Sequence, residues 1–177
     1  MQDEESLVRR AKQRDEEAFT QLYEEYFDKI YRYVTLRIGD RMEAEDITQQ
    51  VFLNAIKAIS SFRWKGAPLS AWLFRIAHNQ VVDYLRKKAK RATVVFEESL
   101  LTSDDDPQLM FEYKLDIERL VSATKKLTPA QQEVISLRFA GEMSVARVAE
   151  VMGKSEGAVK ALQHSAIVAL RRVLSVA

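Results

Sequence analysis

Cysteine is absent from this 177-residue chain, and with it any disulfide framework, thiol nucleophile or thiolate metal site. Glycine and proline are scarce, five and three residues, which argues against a many-turned β architecture and leaves room for long helices. Only two histidines occur, His78 and His164, set on either side of a broad acidic stretch. Both read as polar contacts, and without a glycine-rich phosphate loop no catalytic or metal-binding constellation is visible. No apolar run approaches the roughly 18 to 20 residues of a membrane span, and the opening MQDEESLVRRAKQ lacks the apolar stretch of a secretory signal. These absences point to a cytoplasmic protein that is not an enzyme, has no cofactor and does not insert into membranes.

A net charge of +1 conceals strong segmentation. Residues 1–60 carry −4, 61–92 carry +7, 93–118 carry −7 and 119–177 carry +5. Two basic blocks separated by an acidic one suit a chain that touches nucleic acid at two places while its connector stays off the phosphates. Ordinary solvated faces remain the alternative for either block alone.

Helical periodicity runs through most of the chain. From Phe19, the residues Leu22, Tyr23, Tyr26, Phe27, Ile30, Tyr31 and Val34 mark an amphipathic helix that Asp15 is placed to cap. A second helix spans about 43–59, with Ile47, Val51, Ala55, Ile56 and Ile59 on one side and Glu45, Asp46, Gln49 and Gln50 outward. A third spans about 70–88, with Leu73, Ile76, Ala77, Val81 and Leu85 inward, after a loop over 62–69. Between 92 and 112 the periodicity fades into EESLLTSDDDP, an acidic tether whose roughly 20 residues reach about 70 Å when extended. Beyond it come a helix over 115–127 and a capping signature at Thr128, Pro129 and Gln131, ahead of Val134, Ile135 and Phe139. The fold class is therefore all-α: a helical domain over 1–91, a flexible acidic linker over 92–112 and a smaller helical domain over 113–177.

The smaller domain contains the most informative stretch, SVARVAEVMGKSEGAVKAL from Ser144 to Leu162. Val148, Ala149 and Met152 face inward, Gly153 breaks the helix, and Ser155 caps the next one before Val159 and Leu162 turn inward. This spacing predicts a helix-turn-helix. The outer face of its second helix would carry Glu156, Lys160, Gln163 and His164, residue types that reach base edges and phosphates in a major groove. A plain helical hairpin has the same apolar spacing and stays open at this point.

The basic front segment, FRWKGAPLSAWLFRIAHNQVVDYLRKKAKR, adds a second candidate interface. Arg86, Lys87, Lys88, Lys90 and Arg91 cluster at a helix end, where they complement the dipole and can grip phosphates. Nearby Phe62, Trp64, Trp72, His78 and Asn79 mix aromatics with polar groups, a combination that can stack on unpaired bases and bond their edges. Core packing is the competing role for Trp72, whereas Trp64 lies in a loop.

AEDITQQVF, then this basic segment, then LTPAQQEVISLRFAGEMSVARVAEVMGKSEGAVKALQHSAIVALRRVL, resemble in order and spacing an extracytoplasmic-function sigma factor of bacterial RNA polymerase. The resemblance covers nearly the whole chain. It implies core RNA polymerase, promoter DNA and an anti-sigma factor as partners, and promoter recognition with melting as the activity. Asp46, Gln49, Gln50 and Phe52 match the polymerase-binding helix, although Gln50 stands where an acidic residue is usual. Phe62 and Asn79 match residues shaping a pocket for a flipped minus-ten base, with Arg63, Trp64 and Lys65 in the adjoining specificity loop and Arg86, Lys87 and Lys88 as strand contacts. Ser155, Glu156, Lys160, Gln163 and His164 fall on the helix that reads the minus-thirty-five element. Ser165 replaces a frequent arginine and Lys154 a typical aliphatic, a loss of phosphate grip that Arg171 and Arg172 can offset. In relatives the linker follows the RNA exit path, and a solvated tether is the alternative here. Two rival binding modules remain: a regulator whose front bundle dimerises or senses a ligand, and a mimic that only sequesters an anti-sigma protein. The Asp46–Phe52 helix speaks against the first and the two basic blocks against the second. Whether the two halves pack together or stand apart when unbound is not legible from these residues.

Overall fold

A computed structural model of the chain describes residues 3–65, 68–92 and 111–175, with side chains in the last stretch from 118 onward. The expected acidic linker lies almost wholly outside these residues. The fold is all-α. The front half comprises α1 (Glu4–Lys12), α2 (Glu16–Ile38), α3 (Arg41–Ala58), a single 3₁₀ turn (Ile59–Ser61) and α4 (Leu69–Ala92). The rear half comprises α5 (Phe111–Thr124), α6 (Pro129–Ile135), a π-turn (Ser136–Ala140), α7 (Val145–Met152) and α8 (Glu156–Ser175).

Local chemistry sets the helix ends. The Asp15 carboxylate accepts hydrogen bonds from the backbone N–H groups of Glu17 and Ala18, at 3.1 and 3.2 Å, and so starts α2. Gly39 ends it in the left-handed region, φ 80°, donating to the Thr35 carbonyl at 2.8 Å. A Cβ at Gly39 would also lie 3.1 Å from Val121 of α5, so the close approach of the two halves requires glycine there as well. Asp40 then caps α3 through the Glu43 N–H. Thr128 and Gln131 form the expected capping box at the start of α6, with Pro129 in the first turn.

Helices α1 to α4 form a bundle, and its apolar core continues without a break into the rear half. Leu22, Ile30, Val34, Val51, Phe74 and Val81 belong to the same buried cluster as Val134, Leu137, Met143, Val148 and Val159. A second, small cluster of Leu127, Ile135 and Ala166 lies beneath α8. The two halves are thus packed against each other, with α6, the π-turn and α7 seated on α2 and α4.

One helix was not foreseen, and two expectations need correction. The opening charged stretch forms a helix, α1, whose Leu7, Val8 and Ala11 are buried against the bundle. Ile56 is exposed (49%) because it lies about 180° around α3 from Ile47. Phe139 is 57% exposed: residues 133–137 are all buried between α2, α4 and α8, so the outward arc of the π-turn falls to Arg138 and Phe139. In addition α5 begins at Phe111, four residues before its expected start, and ends at Thr124.

Candidate functional site

On α3, Glu45, Asp46, Gln49 and Gln50 point to solvent as expected, and the Gln50 amide donates to the Asn54 side chain at 3.0 Å. Phe52 does not join them. It is buried, its ring 4.8 Å from Tyr23 and 6.1 Å from Phe27, so it holds the helix to the bundle and offers no surface to a partner. The exposed face instead gains Met42, Leu53 and Ile56. Residues 42, 46, 49, 53 and 56 follow a 4-3-4-3 spacing, which on an α-helix traces one stripe of the kind that packs against another helix. That spacing was present in the sequence, masked by the stronger inward period of Ala44, Ile47, Val51 and Ala55.

Behind the loop after α3 sits an aromatic cluster. Phe62 is 4% exposed, with Trp64 and Trp72 at 5.3 and 5.2 Å between ring centroids, and Lys12 donates to its carbonyl and lies over its ring. Phe62 is therefore a covered wall, and Trp64, 39% exposed, is the ring presented to solvent. Arg63 folds back onto the carbonyls of Ser60 and Phe62, while the exposed Lys65 ends the described part of the loop. Trp72 packs against the core, as its spacing suggested. Along α4, Asn79 and Arg86 lie two turns apart on one exposed face, Arg86 pairing with Asp83 at 2.8 Å. Lys87 and Lys88 are exposed nearby, and the Lys88 ammonium lies over the Tyr84 ring. Burial raises the Tyr84 phenol above its ordinary range, with Glu43 and Asp40 adding to the shift, so the hydroxyl stays protonated.

The rear half holds the helix-turn-helix. Ser144 caps α7 through the Arg147 N–H, Gly153 closes it with φ 62°, and the Ser155 hydroxyl accepts from the Ala158 N–H at 3.1 Å to start α8. Val148, Ala149 and Val159 are buried between the two helices. Glu156, Lys160 and His164 are exposed at successive turns of α8. Gln163 is half-buried and accepts from Arg138 Nε at 2.8 Å, while Arg138 also donates to the Met143 carbonyl. That amide braces α8 against the π-turn. Ser165 likewise receives a hydrogen bond from Gln131 at 3.1 Å. Arg171 and Arg172 are exposed farther along the helix.

Where the halves meet, a polar hub is buried that sequence reasoning passed over. Glu133 of α6, with a side chain 5% exposed, accepts from the Tyr33 hydroxyl at 2.8 Å and lies 3.0 Å from His78 Nδ1. Its second oxygen is 2.9 Å from Arg37 Nε, close enough for an ion pair but outside hydrogen-bond alignment, and Arg37 donates through Nη1 to Gln132 at 2.8 Å. Desolvation above all, and then the neighbouring carboxylate, raise the Tyr33 phenol well above its ordinary value and keep it a donor. Nothing in the local pattern around Glu133 distinguishes it from a solvated residue of a short helix.

Comparison with known proteins bears on both halves. The family model for Sigma-70 region 2 matches residues 22–91, and that for Sigma-70, region 4 matches residues 123–172. The chain is 39% identical over 170 residues to the ECF RNA polymerase sigma factor BldN of Streptomyces coelicolor, covering 95% of this chain and 64% of BldN, just under two thirds of that relative's length. It is 31% identical over 180 residues to the ECF RNA polymerase sigma factor SigW of Bacillus subtilis, covering 94% of each. Among solved structures, the sigma factor RpoE in complex with the anti-sigma factor NepR from Bartonella quintana superposes with a TM-score of 0.71 at 25% identity, covering 89% of this chain and 97% of that one.

Proposed function

The chain belongs to the ECF RNA polymerase sigma factor family, and from that premise we propose how its two halves divide promoter recognition. Residues 1–91 bind core RNA polymerase and the minus-ten element, 92–112 connect, and 113–177 bind the minus-thirty-five element. On α3, Asp46, Gln49 and Gln50 supply polar specificity between the apolar contacts of Met42, Leu53 and Ile56. Phe52 acts from beneath by fixing the helix.

The minus-ten element is captured as opened strand. Extruding a base costs a few kcal/mol of stacking and pairing, which a fitted pocket and basic strand contacts offset. Trp64 is the ring available for stacking, backed by Phe62; Asn79 supplies an amide, and Arg63, Lys65, Arg86, Lys87 and Lys88 supply charge. The minus-thirty-five element is read as duplex by Glu156, Lys160 and His164 from α8. Ser155 sets the helix start, Gln163 its bracing, and Arg171 and Arg172 grip phosphates. Alone, two modestly basic modules bind promoter weakly and lose affinity steeply with salt. Polymerase supplies the remainder by holding both near their elements, which raises their effective concentration.

Sigma factors are regulatory initiation factors, and we assign the chain no chemistry of its own and no cofactor. Among the described residues no helix is long and apolar enough to cross a membrane, in keeping with a cytoplasmic role. The likeness to RpoE bound by NepR supports an anti-sigma protein as a further partner. The observation that carries the reading is the coexistence, in one chain, of the 4-3 stripe on α3 and a fully capped helix-turn-helix with an open outer face. The test is reconstitution with core polymerase and mapping of transcript starts. Start-specific RNA synthesis is expected, and Asp46→Arg abolishes it; core polymerase that initiates no more selectively with the chain than without it overturns the assignment.

A further inference from the structure

Helix α1 has no part in the division of labour proposed above, yet it reaches the aromatic loop. Leu7, Val8 and Ala11 bury it against the bundle, the Tyr26 hydroxyl donates to Glu4 near its start, and Arg10 pairs at 2.7 Å with Asp15, the cap of α2. Lys12, its last residue, is half-buried, and its ammonium donates to the Phe62 carbonyl, 50 residues along the chain. The same ammonium lies 5.7 Å from the centre of the Phe62 ring.

Phe62 is where the loop leaves helical geometry. Its backbone turns extended, φ −60° and ψ 136°, directly after the 3₁₀ turn, and its ring lies in contact with both Trp64 and Trp72. Rotation about the bonds beside its carbonyl would swing Arg63 and Trp64 relative to the bundle. Arg63 also donates to that carbonyl, at 3.2 Å, but from the next residue, so it moves with the loop and cannot anchor it. Lys12 belongs to a different element and can. A charge-assisted hydrogen bond on the carbonyl and a cation over the ring restrain the backbone and the side chain of Phe62 together.

We infer that Lys12 is a positioning residue for minus-ten recognition: by holding Phe62 at two points it fixes the orientation of Trp64, and so sets how sharply the loop distinguishes one opened base from another. The inference rests on the function proposed above. A stacking ring accepts any base face, so its orientation, together with nearby polar groups, is what favours one base. Loosening the ring spreads it over orientations that do not match the preferred base, which lowers affinity for that base more than for the others.

The chain has two tryptophans, so Trp72→Phe, which keeps a ring at the core position, leaves Trp64 as the single reporter. In that background, acrylamide quenching of the free chain reads the freedom of Trp64. Anisotropy of labelled single strands, spanning the minus-ten position of a mapped start with each base varied in turn, reads preference in the complex with core polymerase. Lys12→Met keeps the aliphatic stem and removes the charge and donors. It is expected to raise quenching about twofold and to lower affinity for the preferred strand about five- to tenfold, leaving a preference of less than about threefold over other bases. Lys12→Arg, still a cationic donor, is expected to restore preference to within about twofold of the parent. Affinity for core polymerase is unchanged in both. If Lys12→Met does not fold, Lys12→Gln, neutral but still a donor, takes its place with about a threefold loss of preference expected.

Parent quenching and parent preference in a folded Lys12→Met or Lys12→Gln chain overturn the inference. An equal loss for all strands, with the salt slope lowered by about one, also overturns it, since that marks Lys12 as a phosphate contact. A parent complex that prefers no base at any position overturns the functional reading instead, a result distinct from an unresponsive Lys12 variant of a discriminating parent.

Discussion

Helices α3 and α8 each turn one face to solvent, and the two faces are chemically unlike. That of α3 leaves Met42, Leu53 and Ile56 in water, 76%, 51% and 49% exposed, around Asp46 and Gln49. That of α8 shows Glu156, Lys160 and His164 at successive turns, with no large exposed apolar residue before Leu174. Apolar stripes interrupted by a few polar groups suit a dry protein contact. Polar and cationic faces suit the wet, highly charged surface of duplex DNA. In the function proposed above, one chain carries a protein-binding face and a nucleic-acid face on helices of similar length, and the distinction lies in what each leaves exposed.

The strongest way to break that comparison is to put charge into the apolar stripe. Leu53→Glu combined with Ile56→Glu is expected to weaken binding to core polymerase by about 3 kcal/mol, roughly a hundredfold, since each new carboxylate must be desolvated. The thermal midpoint stays within a few degrees, because neither side chain belongs to the core. Titration against labelled polymerase alongside a melting curve reads both, and retained affinity would show that the stripe is not a docking face.

Next in size is the electrolyte response of the other face. Arg171→Ala with Arg172→Ala is expected to lower the slope of log affinity against log salt by about two for promoter duplex, nearly equally for all sequences. The α3 double variant should leave the duplex slope of the free chain untouched. Filter binding or anisotropy at four salt concentrations separates the two, and identical slopes would remove Arg171 and Arg172 from the interface.

Smaller again is the cost of losing the α8 cap. Ser155→Ala removes the acceptor for the Ala158 N–H and is expected to cost about 1 kcal/mol of stability, read from urea unfolding. A larger loss of duplex binding than of polymerase binding should accompany it, since the frayed turn carries Glu156.

The smallest effect is a pH dependence remote from both faces. The Arg10 guanidinium and then the Ala18 N–H hold the Asp15 carboxyl below its ordinary value of 3.8. A depressed folded value means that the contribution of Asp15 is complete above the unfolded pKa and disappears as pH falls through the folded one. Asp15→Asn is therefore expected to flatten the stability profile below about pH 4 while leaving binding at neutral pH unchanged. A profile as steep as the parent's would remove Asp15 from the acid response.

Much of the framework was legible because it depends on neighbours in the chain. The Asp15 cap, the Thr128–Gln131 box, the Gly153 break and the Ser155 cap are satisfied within a few residues, so composition and spacing suffice to find them. The inward stripes of α2 and α4 were visible for the same reason. Helix α1 was missed: its Leu7, Val8 and Ala11 are too few among charges to declare a buried face until α2 is beside them. The resemblance matched Phe52 to a polymerase-binding helix and Phe62 to a base pocket, and only the structure shows that neighbouring rings cover both. Gln163 looked free to read DNA, and only the approach of Arg138 from the π-turn shows it engaged.

The order of residues alone determined that this is an all-helical chain with a helix-turn-helix near its end and two separated basic blocks, because helix periodicity, caps and net charge are local quantities. Tertiary structure decided that the halves lie closed upon each other, that Glu133 becomes a buried ion shared by Tyr33, Arg37 and His78, and that Ile56 faces out while Phe52 faces in. Those outcomes depend on which surfaces meet across about a hundred residues of chain, and burial, the source of their energy, is a property that no residue possesses until its distant partner arrives.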